Sequence, residues 1–256
     1  MTGDRHMPGR NDERAAGRGP VDDGNHVVRL CARGMQAEAE GRDADARSLF
    51  QRAWESAADD YEACVAAHYL ARHQATAEET LHWNRISLAR AGLVADDRVR
   101  SFYPSLYLNL AKAYLDLGRT GLAREQFGRA AEHAHHLPPG QYGDVMRFAI
   151  ADGLRGTGAA VHRPAGGLID GLVSGWCARA DLRALALVLP ARLGDLGTEE
   201  DRIRLVAALH LVHAGRWLPR GEQEDLGRAV AAVSRQKRGP ARKERFSRNA
   251  AGPIQR

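Results

Sequence analysis

The sequence predicts an all-α protein, and three observations lead to that fold class. Apolar residues make up 44% of the 256 residues and aromatic residues only 6%, so the core is expected to be rich in Ala, Leu and Val. Such a core suits closely packed helices better than sheets. No clean period-two run of β-branched residues is present, which argues against strands. Small and large apolar residues recur instead at the spacing of paired antiparallel helices.

The clearest helix pair lies between Tyr103 and Pro139. Large apolar residues mark both of its helices, and small residues stand where the two backbones approach each other. The residues of the pattern are Tyr107, Leu110, Ala111, Tyr114, Gly118, Ala123, Phe127 and Ala130. This spacing resembles the tetratricopeptide repeat (TPR), a helix–turn–helix unit of about 34 residues. The following Pro-Pro-Gly run predicts the end of the second helix.

Weaker copies of the pattern precede this pair. The range 27–58 predicts a degenerate first pair, and 61–91 predicts a second pair in which Gln74 replaces the turn glycine. The longer interval before the clear pair predicts an insertion at 93–102, formed as an extended helix or an extra turn. Pro104 then stands at the start of the next helix, where a missing N–H costs little.

A fourth first helix is predicted over 142–154. Val145, Phe148 and Ala149 stand at the apolar positions of the pattern, and Asp152 replaces a tyrosine. A polar residue at that position is typical of a terminal unit, whose outer face meets water.

The C-terminal part stays helical in composition but loses the repeat pattern. Residues 168–234 predict four amphipathic segments, which form either a helical subdomain or divergent repeats that continue the solenoid. Pro190 is expected to kink or end the second segment. Thr198, followed by three acidic residues, predicts the start of the third. The terminal ranges are expected to be disordered, because they cannot bury enough apolar surface; they are 1–25 and 235–256.

The positive charge of the chain is concentrated in its C-terminal tail. Residues 235–256 carry a net charge of +7 against +5 for the whole chain, so the folded body is nearly neutral.

Cys31, Cys64 and Cys177 show no CxxC spacing and are interpreted as reduced, buried residues of a cytoplasmic protein. No signal peptide and no membrane-spanning apolar run are visible. The arginine-, alanine- and glycine-rich composition indicates a high-GC bacterium.

The TPR resemblance covers about 26–157 and implies a right-handed helical solenoid with a helical C-terminal extension. TPR proteins are usually non-catalytic scaffolds or adaptors, whose first helices line a groove for a peptide or a helix. The groove positions carried over from the resemblance are Cys31, Met35, Cys64, His68, Arg72, Leu108, Asn109, Lys112, Asp116, Met146 and Arg147. Asn109 stands where carboxylate-clamp TPR proteins keep an asparagine, and Lys112, Arg72 and Arg147 would supply charge to an acidic peptide.

Two other functions remain open at this point. The basic tail suggests a nucleic-acid-associated regulator that uses salt-dependent phosphate contacts. An enzyme site near His210, His213 and Trp217 is the third alternative. No nucleophile–base pattern, phosphate loop or cofactor motif is present, so a non-enzyme without a cofactor is expected. The histidines at 133, 135 and 136 are better explained by favourable contact with a helix C-terminus than by a metal.

Overall fold

The computed structural model describes residues 24–159 and 163–235, and these ranges contain helices and no strand. The all-α prediction is therefore confirmed. None of the helices in these ranges is both long and apolar enough to cross a bilayer. The segments predicted to be disordered, 1–25 and 235–256, lie outside the described residues except for positions 24, 25 and 235.

The described residues divide into two compact units, 24–159 and 163–235. Seven α-helices build the first unit: α1 (His26–Ala39), α2 (Asp43–Glu55), α3 (Asp60–Leu70), α4 (Ala77–Ala91), α5 (Tyr103–Asp116), α6 (Thr120–His133) and α7 (Gln141–Gly156). The pairs α1/α2, α3/α4 and α5/α6 pack as hairpins, and α2, α4 and α6 each pack on the helix that follows. In addition, α1 contacts α3 and α5 contacts α7. This is the packing of stacked helical hairpins.

The turns between paired helices follow from their glycines. Gly118 has φ +67°, and the N–H of Arg119 donates to the carbonyl of Tyr114 at 2.8 Å. Gly41 closes the α1–α2 turn with the same bonds. This Schellman geometry needs one residue in the left-handed backbone conformation, which glycine adopts without steric cost.

The second hairpin, which lacks the glycine, ends its first helix differently. The chain tightens into a 3₁₀ turn over Ala71–His73, and the Gln74 side-chain amide donates to the carbonyl of Leu70 at 2.7 Å. The amide thereby satisfies a carbonyl that the missing Schellman turn would leave free. The departure from the repeat pattern changes the cap and preserves the hairpin.

The predicted insertion at 93–102 takes the form of an extra turn, a 3₁₀ helix over Asp97–Phe102. The Asp96 carboxylate accepts the N–H of Arg98 at 2.9 Å and so caps this turn. Val99 is buried, which anchors the insertion to the unit. Pro104 lies in the first turn of α5, as predicted.

The predicted inner face of α7 is only partly buried, since Phe148 and Ala149 are half-buried. Val145 is exposed, and α7 instead buries Met146, Ile150 and Leu154. Within the described residues of the first unit, no second helix follows α7 to form a fourth hairpin. α7 buries the face that meets α5 and α6.

The second unit contains α8 (Gly166–Ala178), α9 (Leu182–Leu193), α10 (Glu199–Gly215) and α11 (Arg220–Ser234). Each helix packs on the next, and α11 packs back on α8. This closed arrangement is that of a four-helix bundle, in which short loops connect neighbouring helices. One core joins the four helices, and its largest fully buried side chain is Trp176. Pro190 does not end α9, which continues to Leu193.

A buried ion pair holds the segment before α8 to the α9–α10 loop. Arg163 Nε and Nη2 donate to the two carboxylate oxygens of Asp195 at 2.8 and 2.7 Å, and Nη2 also donates to the carbonyl of Thr198. Thr198 and Asp201 form a capping box at the start of α10, as the sequence predicts for a helix start there.

Cys177 is exposed, so its predicted burial is wrong, whereas Cys31 and Cys64 are buried.

Candidate functional site

The open face of α5 carries three of the predicted groove residues. Asn109, Lys112 and Asp116 follow one another at spacings of three and four residues, which places them along one side of the helix. Asn109 is half-buried, and Lys112 and Asp116 are exposed. Within the part of the chain that the structure describes, none of the three forms a hydrogen bond or ion pair. We call these three residues the α5 row.

Two other predicted groove residues belong to the interior instead. Leu108 is 2% exposed, because α5 packs against α4, α6 and α7 and only part of its surface stays open. Arg147 on α7 is 7% exposed. Neither side chain is accessible to a partner. Of the other apolar positions carried over from the resemblance, Cys31, Cys64 and Met146 are buried as well, whereas Met35 is half-buried.

Arg72 is already engaged by the chain itself. Its Nη2 lies 2.8 Å from Oε1 of Glu38 on α1, and Nε2 of His73 lies 3.5 Å from the same oxygen. This ion pair joins the first hairpin to the end of α3. The charge that Arg72 was expected to offer to an acidic peptide is therefore largely compensated by Glu38.

His68 is a neutral residue in this structure. Its ring meets the edge of the Tyr69 ring at 5.2 Å between centroids. Burial, with a smaller contribution from the charge of Arg72, lowers the pKa of His68 from 6.5 to about 4. His68 therefore supplies no positive charge to a ligand near neutral pH.

The pKa of His68 predicts a loss of stability in mild acid. The unfolded side chain takes up a proton near pH 6.5 and the folded one only near pH 4, so between these values protons favour the unfolded state. The free energy of unfolding should fall as the pH drops through this window, by at most about 1.4 kcal/mol per pH unit. His68→Gln should flatten this dependence in denaturant titrations between these pH values. The matched variant His82→Gln, at an exposed histidine, should keep it; equal slopes in the two variants would contradict the prediction.

The predicted groove set thus falls into separate groups. Within the described residues, no hydrogen bond or ion pair joins the α5 row to His68 or Arg72. The structure places two polar groups, the α5 row and the Glu38–Arg72 pair, on different hairpins. Of the predicted groove residues, the three of the α5 row form no hydrogen bond or ion pair with the described residues.

Sequence reasoning missed an array of stacked rings next to the α5–α6 seam. His133 stacks on Tyr103 and Tyr107 at centroid distances of 5.0 and 5.4 Å, and His136 follows at 6.1 Å. Burial, followed by the neighbouring His136, His135 and Arg129, lowers the pKa of His133. The spacing of four residues between the two tyrosines was the signal available in the sequence.

The two histidine clusters lie at the end of α6 and on α10. Among the described residues, no group of three or more His, Cys, Asp or Glu side chains could hold a metal ion. His210 is exposed on α10, and the Trp217 ring lies under the Arg183 guanidinium at 5.1 Å. The backbone carbonyl of His213 accepts a hydrogen bond from Gln223. These contacts are those of a packed helical unit.

Among the predicted groove residues, the α5 row combines two exposed side chains and one half-buried side chain that form no hydrogen bond or ion pair in the described chain. The Glu38–Arg72 pair is satisfied within the chain. The rings of the array stack on one another, but Nδ1 of His133 has no hydrogen-bond partner among the described residues. Comparison of the sequence with protein-family models and curated proteins, and of the structure with solved structures, yields no match.

Proposed function

We propose that this chain is a non-catalytic, TPR-like interaction protein that holds a peptide or helix of another protein against the first helices of its N-terminal unit. In this proposal residues 26–157 form a right-handed TPR-like solenoid. The observation that carries the proposal is the α5 row, in which an amide, an ammonium and a carboxylate share one open helix face without partners in the described chain.

The stacked hairpins support this proposal because first helices lie side by side in two pairs, α1 with α3 and α5 with α7. The clearest repeat unit, 103–139, supplies both the best-formed hairpin and the α5 row. A groove of this kind holds an extended peptide or an amphipathic helix through a few polar contacts beside apolar ones.

The chemistry of the α5 row defines the partner it would recognise. Asn109 can both donate to and accept from a peptide backbone. Lys112 is a point charge that favours an acidic side chain or a C-terminal carboxylate. Asp116, one turn further on, favours a basic residue, so the row fits a segment with charges of both signs. Arg72 contributes little, because Glu38 already neutralises it.

Substitution of the α5 row tests this function. Asn109→Ala combined with Lys112→Ala should weaken partner capture by about tenfold or more, because it removes one neutral and one charged hydrogen-bonding group. Partners captured from lysate of the producing cells by the full chain would be identified by mass spectrometry, and their affinity measured by titration. Both side chains lie outside the core, so circular dichroism should be unchanged.

The matched control is Arg124→Ala, which removes an exposed arginine from the second helix of the same hairpin. It should leave capture unchanged. If the double variant retains the affinity of the unmodified chain, or if the control loses it equally, the α5 row does not bind the partner.

A further inference from the structure

Three histidines meet at the C-terminal end of α6 in the first unit. His133 is the last residue of α6, and a 3₁₀ turn over Ala134–His136 follows it. The ring of His135 lies 3.9 Å from that of His136 between centroids, and the ring of His136 lies 6.1 Å from that of His133. We call these three residues the α6 histidine cluster. Their rings form one continuous group.

The cluster joins the end of α6 to the start of α5. The His133 ring stacks on Tyr103 and Tyr107, with interplanar angles of 25° and 22°. The hydroxyl of Tyr103 donates in turn to the carbonyl of Ala91, the last residue of α4, at 3.2 Å. The stack therefore connects three consecutive helices, and a histidine lies at its centre.

His136 extends the cluster to the 3₁₀ insertion (Asp97–Phe102) that precedes α5. Arg100 and Asp97 of this insertion pair with each other, since Arg100 Nη2 lies 2.8 Å from Oδ1 of Asp97. Both charges act on His136. Burial, followed by His135 and then Arg100, lowers the pKa of His136, and Asp97 raises it by less.

Positive groups also surround His133. Burial lowers its pKa first, and His136, His135 and Arg129 lower it further. Arg129 lies one turn before His133 on α6 and pairs with Glu125 at 2.9 Å. Nδ1 of His133 has no hydrogen-bond partner among the described residues, so no acceptor there stabilises the charged ring. α7 also packs on α6, but none of the groups that shift the pKa of His133 lies on it.

Two contacts that favour a protonated His133 are outweighed. An imidazolium is attracted to the faces of tyrosine rings, and a helix C-terminus favours positive charge. Burial and the neighbouring positive groups act in the opposite direction, and the pKa of His133 is lowered from 6.5 as a result. Protonation is therefore disfavoured while the end of α6 is packed, and it becomes easier once this end separates from α5.

We propose that the α6 histidine cluster is a pH switch, in which protonation of His133 and His136 releases the end of α6 from the start of α5 and from the 3₁₀ insertion. Protonation of clustered histidines is a known way to bias a local structural equilibrium. The opening is local, because the core around Phe50 contains no residue of the cluster and stays packed. The switch does not depend on a partner bound to the α5 row.

The lowered pKa values give the direction of the effect. Well above pH 6.5 the two histidines are neutral in both states, so the packed state keeps its full stability. Below pH 6.5 the opened state binds more protons, and opening becomes more favourable as the pH falls. His133 and His136 can each raise the opening equilibrium constant by up to about tenfold per pH unit.

Amide hydrogen exchange of the full chain, measured by mass spectrometry, tests the inference. Rates between about pH 7.5 and about pH 5, each divided by the intrinsic rate at that pH, report the opening equilibrium. Peptides covering 97–107 and 130–137 should lose about tenfold or more of their protection over this range. Peptides of α1 and α2 should lose less. Global destabilisation through His68 would act on those helices as well, so the comparison separates local from global opening.

Two variants assign the effect to the cluster. His133→Gln/His136→Gln should remove most of the pH dependence in both segments, because neither glutamine titrates. His136→Gln alone changes only a half-buried side chain, and it should remove part of the dependence even if the double variant does not fold. The matched control His82→Gln, at an exposed histidine of α4, should keep the full dependence.

Four results would overturn the inference. Protection of the two segments that does not change with pH would exclude a switch. Equal losses in α1 and α2 would show global unfolding instead. Full pH dependence in His136→Gln, or its loss in His82→Gln, would show that the α6 histidine cluster does not control the opening.

Discussion

Replacing Asp195 by alanine should destabilise the second unit by about 3–5 kcal/mol. The Asp195 and Arg163 side chains are 2% and 7% exposed, and two hydrogen bonds join them. Removing one member of such a pair leaves a buried charge without its counter-ion, which is the most costly change at a buried ion pair. Chemical denaturation of the full chain would measure the loss. Hydrogen exchange should show it in α8–α11.

Two comparison variants separate the ion pair from general effects of substitution. Asp170→Ala removes the partner of Arg192, an exposed pair, and should cost less than about 1 kcal/mol. In the double variant Arg163→Met/Asp195→Leu, apolar groups replace both charges, and the loss should be much smaller than in Asp195→Ala. If Asp195→Ala costs no more than Asp170→Ala, the pair does not stabilise the unit.

Replacing Phe50 by alanine should destabilise the first unit by about 3–5 kcal/mol. The ring is fully buried and stacks on Tyr69 at 5.3 Å between centroids. The substitution would lose the free energy gained by removing the ring from water, and it would leave a cavity with fewer packing contacts around it.

Gly34 on α1 leaves the space for this ring, because a methyl group there would overlap it. Gly34→Ala should therefore cost about 1–3 kcal/mol by overpacking.

Gly128→Ala is the matched control for Gly34→Ala. Gly128 lies inside α6, and a methyl group there meets no neighbouring atom within 4 Å. The substitution should stabilise the unit by up to about 1 kcal/mol through helix propensity. Denaturant titrations should give changes in the free energy of unfolding of opposite sign for the two glycine variants. This result would verify that the contact with Phe50 causes the destabilisation in Gly34→Ala. A neutral Gly34→Ala would contradict it.

The sequence predicted the helices well where local signals and packing agree. Gly118 predicts the turn between α5 and α6, and Pro104 predicts the start of α5. Both predictions succeed because each residue acts through its own backbone geometry. Pro190 is expected to kink or end its segment, and α9 continues for three residues beyond it. The exposure of Val145 could not be predicted from its own helix, because burial depends on whether another helix follows and covers it.

The candidate site could be predicted only in part, for a similar reason. The helical spacing of Asn109, Lys112 and Asp116 placed them on one face of α5, whereas burial of Leu108 depends on how α5 packs against its neighbours. The Glu38–Arg72 pair joins residues more than thirty positions apart, which no local pattern reveals.

Photo-crosslinking in the producing cells tests the central claim most directly. A photoreactive phenylalanine analogue at Asp116, at the end of the α5 row, leaves Asn109 and Lys112 in place. We expect a crosslink to another protein from this position, loss of this crosslink in the Asn109→Ala/Lys112→Ala background, and no crosslink to that protein from Leu122 on α6. A crosslink from Leu122 alone, or one from Asp116 that survives the double substitution, would contradict the claim that the α5 row holds the partner.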